Sequence, residues 1–333
     1  MKQSQHPRAF LVTVLWTLGL LYLGSVVHAT GSSLACPDWP TCFGTMVPEM
    51  TGGVFWEHLH RLVAGGLILI FSAATYLAFR ETPRFRWVKG WALAGIGLLL
   101  VQAVLGGITV LFRLPDAVST SHLGLAFLFL ALATILFTVT APSWEEGVGP
   151  DPTAKAPLRR AALVAAVLAF LQSLVGAAVR HTDAGVACPD VPLCLGAWIP
   201  PLQHPLVALH FFHRVLGVLL LGAVLLAGHL AFWKGASPRL RRLGVAASLV
   251  AATQVLLGFL SVYYRLAVIP VSLHTLLAAT LLTLLATMAT LTWAQGPWGE
   301  AGKESAVSGT LRAARGEGGH SRVPGASGNA AEI

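Results

Sequence analysis

Eight apolar runs of roughly 20 residues, near 10–29, 57–79, 91–112, 120–140, 161–179, 207–232, 243–264 and 271–293, decide what this chain can become. A helix rises about 1.5 Å per residue, so each run is long enough to cross the roughly 30 Å hydrocarbon core of a bilayer. Backbone amides find no water there, and only helices or closed barrels satisfy them. Strand-length segments of alternating polarity are absent, which excludes a barrel. The expectation is an all-α integral membrane protein with eight transmembrane helices. Composition agrees: 11% of residues are charged, against about a quarter in soluble domains.

Charge placement sets the orientation. Of the 22 Lys and Arg residues, 17 fall before the first run, in 80–90, 155–160 and 234–242, or in the tail. The positive-inside rule then puts both termini in the cytoplasm of a multi-pass plasma-membrane protein. The net charge of +8 is spread over these short segments and argues for topology, not for nucleic-acid binding. The other five basic residues, Arg61, Arg113, Arg180, Arg214 and Arg265, are all arginines at outer helix ends.

The chain repeats itself. Adding 152 carries Gly24 to Gly176, Cys36 to Cys188, Asp38 to Asp190, Cys42 to Cys194, Gly106 to Gly258, Arg113 to Arg265 and His122 to His274, while His60-Arg61 reaches His213-Arg214 at 153. A shared offset through loops and helices is the mark of duplication. Four spans per copy make the two parallel repeats, two tandem four-helix bundles. The N-terminal run imitates a secretory signal, but its twin is the fifth span, which cannot be one. The expected organisation is a first half over 1–141, a Pro- and Gly-rich cytoplasmic linker over 142–160, a second half over 161–294, and a disordered cytoplasmic tail over 295–333.

Four of the twelve histidines, His60, His122, His213 and His274, each open a helix entering from the outside. One facing pair per bundle suits the two axial ligands of an iron porphyrin, whereas zinc wants about four ligands in a tetrahedron. His58 and His210 are less well aligned. The alternative is four helix ends meeting the headgroups. His6, His28, His181, His204, His229 and His320 read as surface or interfacial groups. Arg61, Arg113, Arg214 and Arg265 are candidate partners for heme propionates, since a guanidinium forks onto a carboxylate; interfacial snorkelling is the competing reading. The halves differ at one informative place: Glu57 precedes His60 by three residues, and its counterpart is His210. A carboxylate beside a heme near the low-dielectric boundary is suited to moving protons or stabilising a developing cation, so chemistry is expected in the first half. A first-turn glutamate complementing the helix dipole is the plainer alternative.

All four cysteines fall in outer loops, in "CPDWPTC" (36–42) and "CPDVPLC" (188–194). In an oxidising compartment they read as the disulfides Cys36–Cys42 and Cys188–Cys194, with a structural staple and a redox-active pair as the two options.

Eight spans in two halves, "CPDWPTC", "EHLHR" with Glu57, His60 and Arg61, and His122, His213 and His274 together resemble the heme A synthase family of the bacterial eight-span type, over residues 10–293. The resemblance implies oxidation of the C8 methyl of heme O to a formyl group by successive hydroxylations, supplying heme A for cytochrome c oxidase. It implies His60 and His122 as ligands of the substrate heme, Glu57 as the catalytic carboxylate, and His213 and His274 as ligands of a resident heme b. It also implies a heme O synthase (protoheme farnesyltransferase) as partner, cytochrome c oxidase assembly as the destination, and a functional Cys36–Cys42 pair. A homo-oligomer is compatible with this reading. Two rivals belong to other classes. A di-heme membrane cytochrome b carrying electrons needs ligands toward both faces, and here all four lie at the outer end. A heme chaperone or transporter has no need of Glu57.

Overall fold

The structure, a computed structural model, describes residues 4–81, 86–141, 151–233 and 235–293. The predicted tail (295–333) and the first nine residues of the predicted linker (142–150) lie outside the described residues.

Eight long helices are present among the described residues: α1 (His6–Ala29), α2 (Gly52–Glu81), α3 (Arg86–Leu111), α4 (Asp116–Thr140), α5 (Ala156–His181), α6 (Pro205–Trp233), α7 (Pro238–Tyr263) and α8 (Val268–Thr292). All eight are long and apolar enough to cross a membrane, and a single 3-10 turn, Ala184–Val186, follows α5. Every helix begins before its apolar stretch, and α2, α5 and α6 also run past its end. Apolarity stops where the hydrocarbon stops, while backbone hydrogen bonding runs on into the headgroup region. Pro7, Pro157 and Pro238 sit in the first turns of α1, α5 and α7, where a missing N–H costs nothing. The α5 start at Ala156 lies inside the segment read as linker.

Neighbouring helices pack in sequence order, and each half closes on itself through α1 against α4 and α5 against α8. The halves meet along a seam where α1 and α4 contact α5 and α8. One apolar core, with Phe10, Phe71, Phe129, Leu130 and Leu285 fully or nearly fully buried, runs through both halves. Lipid tails are as apolar as leucine, so close backbone approach is what holds such helices together. Between α6 and α7 it is extreme: a Cβ on Gly244 would lie 3.0 Å from the Cα of Gly228.

His6 departs from its surface assignment. Its side chain is fully buried, with Nδ1 2.8 Å from Glu81 Oε2, and that oxygen also accepts from the backbone N–H groups of Gln5 and His6. The contact ties the start of α1 to the end of α2.

Candidate functional site

The end of the first half that carries the loop after α1 encloses a cavity of about 500 Å³, within the range of cofactor-sized sites. Its polar wall holds Glu57, His60, Arg61, Gln102 and His122, and its deeper wall Leu67, Leu99 and Phe129. The first-half histidine pair therefore shares one enclosed space with the candidate carboxylate.

Each of the four singled-out imidazoles rests on a glycine of a neighbouring helix. A Cβ added at Gly24 of α1 would stand 3.0 Å from His60 Cε1, at Gly106 of α3 3.4 Å from His122, at Gly176 of α5 3.0 Å from His213, and at Gly258 of α7 3.1 Å from His274. These are the glycines matched by the 152-residue offset, a signal visible in the sequence whose purpose only the placed rings reveal. At Gly24, Gly176 and Gly258 a larger residue would press on the ring, while at Gly106 a methyl would make near-ordinary contact.

The ring nitrogens divide the halves. Nδ1 of His60 and Nδ1 of His122 are buried without a hydrogen-bond partner among the described residues. His274 Nδ1 donates to the Gln254 carbonyl at 3.0 Å, and Gln172 Nε2 lies 3.2 Å from His213 Nδ1. Glutamine also steadies the backbones: Gln102 Nε2 donates to the His122 carbonyl at 2.9 Å and Gln172 Nε2 to the His213 carbonyl at 3.0 Å.

Glu57 is almost fully buried. Its carboxylate accepts from the Cys36 backbone N–H at 2.8 Å and from Arg61 Nη2 at 2.6 Å. Arg61 donates further to the carbonyls of Asp38 (2.7 Å), Thr41 (2.6 Å) and Cys36 (3.3 Å). Arg214 repeats the grip on the carbonyls of Asp190, Leu193 and Cys188, while His210 replaces the carboxylate by donating from Nδ1 to the Ala184 carbonyl at 2.8 Å. Both arginines thus hold the cysteine loops onto α2 and α6, and Arg61 also lines the cavity.

Arg113 and Arg265 do not line this cavity. Both are exposed, with φ of 56° and 50°, and end α3 and α7. The next residue closes each end, Leu114 N–H bonding Thr109 O at 2.6 Å and Leu266 N–H bonding Ser261 O at 2.7 Å. Their place in the repeat comes from turn geometry. His204 and His229 are exposed, as predicted. His28 and His181 are half-buried and pack edge to face, ring centres 5.2 Å apart, in the cavity wall. Arg180 lies beside them. His58 is also a lining residue, buried within 4.8 Å of the Cys36 and Cys42 sulfurs. Those sulfurs are joined, so no thiolate is left for a metal.

Cys36–Cys42 and Cys188–Cys194 are both disulfides, and their sulfurs are buried. Asp38 organises the first loop, accepting from Thr41 Oγ1 at 2.5 Å and from the N–H groups of Phe43 (2.6 Å) and Gly44 (2.8 Å). The Thr41 hydroxyl first, and then the Gly44 amide, hold this carboxyl below the usual aspartate value of 3.8. A depressed value stabilises the loop fully above that pH and ceases to do so only as pH falls through the lowered value. A water-soluble phosphine should therefore reduce Cys36–Cys42 slowly from neutral pH down to about 4. Asp38→Ala should speed the reaction roughly tenfold by opening the loop. Equal rates in the two proteins would remove Asp38 from this role.

The comparisons with known proteins bear on the same residues. The model of the COX15-CtaA family, described as cytochrome oxidase assembly protein, matches residues 8–286. A heme A synthase of Halalkalibacterium halodurans is 32% identical over 223 residues, 65% of this chain and 74% of the relative. One from Symbiobacterium thermophilum is 33% identical over 216 residues, 63% and 68% of the two chains. One from Bacillus mycoides is 27% identical over 283 residues, 83% and 89%. The matched span reaches into all eight helices and takes in both disulfide loops and all four seated histidines, and the chain belongs to the COX15-CtaA family of cytochrome oxidase assembly proteins.

Proposed function

We propose that this chain is a heme A synthase, an oxidoreductase that converts the C8 methyl of heme O to a formyl group in the first-half cavity. The contrast between the two histidine pairs carries this reading. A ligand that stays put gains from a second hydrogen bond fixing its tautomer and ring angle; His274 has such a bond, its Nδ1–H donating to the Gln254 carbonyl, which suits a resident heme b. His60 and His122 have none, which suits a porphyrin that enters, reacts and leaves. Glycine leaves room for all four imidazoles, and the first-half pair also opens on a cavity of cofactor size, which suits an iron porphyrin there. When bound between His213 and His274, a resident heme b would supply one-electron redox chemistry.

The side chains divide the remaining work. His60 and His122 hold the substrate through its iron and fix which edge faces Glu57. The Glu57 carboxylate takes up a proton released as the methyl carbon is oxidised, and its negative charge favours positive charge developing there. Arg61 keeps Glu57 aimed and the Cys36–Cys42 loop closed, so water enters on the site's terms. Leu67, Leu99 and Phe129 offer an apolar wall for the farnesyl-derived tail. We place the site at the extracytoplasmic face of the plasma membrane, next to a heme O synthase that delivers substrate.

The test is chemical. Membranes of a host expressing this chain with a heme O-forming farnesyltransferase are extracted, and the hemes resolved by reversed-phase chromatography with mass detection. A formyl heme, or its hydroxymethyl precursor, should appear only with the intact chain. Unaltered heme O in membranes whose purified protein carries two low-spin bis-histidine hemes would replace this reading with that of an electron-carrying cytochrome.

A further inference from the structure

We infer that Arg180, which the second half contributes to the cavity of the first, anchors a carboxylate of the porphyrin substrate; this rests on the substrate reading above. Arg180 lies in the last turn of α5, yet its guanidinium reaches across the seam between α1 and α8. Nη1 donates to Ser25 Oγ at 2.8 Å and Thr275 Oγ1 at 3.3 Å, and Nη2 to the Ser25 carbonyl at 2.8 Å. All three acceptors are neutral, and no carboxylate forms an ion pair with Arg180 among the described residues. Arginine does not shed its proton, and an uncompensated cation inside a membrane bundle is costly and as a rule functional.

The other arginines at this end differ. Arg61 has Glu57 for a counter-charge, Arg214 is held by loop carbonyls and does not line the cavity, and Arg113 and Arg265 are exposed. Arg180 alone of these lines the cavity with no anion beside it. The same cavity holds His60 and His122, and a porphyrin held there through its iron carries both ionised propionates on one edge. A planar guanidinium matches such a carboxylate better than an ammonium does. His28 and His181, packed edge to face, form the adjoining wall. By the 152-residue offset the counterpart of Arg180 is His28, so the first half has no arginine of its own at that position. The first-half site is complete only with the second half docked against it.

A phospholipid phosphate has the same chemistry, and the experiment separates the two. Full-length purified protein is titrated with iron protoporphyrin and with its dimethyl ester, the first-half site being the low-spin absorbance lost in His60→Ala. Wild type should bind the free acid about tenfold more tightly than the ester. Arg180→Gln should bind both alike, and Arg180→Lys should keep part of the preference. The preference is a ratio measured on folded protein, so lower yield of a variant does not alter it. An undiminished preference in Arg180→Gln overturns the inference. So does loss of a co-purifying anionic lipid from that variant with the preference intact, which would assign the guanidinium to a headgroup. Absence of any His60-dependent porphyrin binding in wild type would instead sink the substrate reading on which the inference stands.

Discussion

Replacing Glu57 by Gln is expected to lower conversion of heme O by roughly 10²- to 10⁴-fold, the range over which a positioned acid or base contributes, while porphyrin still binds at His60 and His122. The amide keeps the size of the side chain but loses its charge and its capacity to take a proton. The loop should survive, because Arg61 retains its bonds to the carbonyls of Asp38, Thr41 and Cys36. Heme O should accumulate in membranes of the variant, with the bis-histidine absorbance at the first-half site preserved. His210→Gln is the matched control. It occupies the corresponding place in the second half and bonds only the Ala184 carbonyl, so heme A should still form. Formyl heme at the wild-type level in Glu57→Gln would leave the carboxylate a mere tether for Arg61 and the Cys36 amide, and the catalytic role would be withdrawn.

The parts of this molecule legible in the sequence are those encoded along one dimension. Span length follows from apolar run length, since hydrocarbon thickness is fixed, and all eight helices stand where those runs lie. The histidine set emerged from the offset between halves, which places each beside its counterpart without any knowledge of packing. Residues whose meaning depends on which helices are neighbours were opaque. Arg180 looked like one more outer helix end, because nothing in the chain says that α5 meets α1 and α8 there. Arg113 and Arg265 share their repeat relation with Arg61 and Arg214, yet they terminate helices instead of gripping loops. His6 read as peripheral from its place near the start, and its burial depends on Glu81 arriving from the far end of α2. The matched glycines were visible, but a repeat glycine looks the same whether it serves helix packing or seats a ring.

Those glycines give the second large effect, and its gradation is what makes it testable. Overpacking a tight contact costs about 1–3 kcal/mol, so Gly24→Ala is expected to weaken porphyrin binding at the first-half site by roughly five- to a hundredfold. Its new Cβ meets His60 Cε1 at 3.0 Å, and the ring is held in a packed bundle with little room to retreat. Gly106→Ala should do less, since 3.4 Å to His122 is close to ordinary contact. In the second half, Gly176→Ala (3.0 Å from His213) and Gly258→Ala (3.1 Å from His274) should strip low-spin absorbance from the resident site and leave the first-half site loaded. Gly19 provides the control on α1 itself: nothing lies within 4 Å of a Cβ there, so Gly19→Ala should bind porphyrin as wild type does. The readout is the absorbance of each purified variant during titration with iron protoporphyrin, with His60→Ala and His274→Ala marking the two sites. Losses that ignore the ordering of these distances, or that Gly19→Ala matches, would mean that the glycines serve general helix packing and that the imidazoles are positioned by something else.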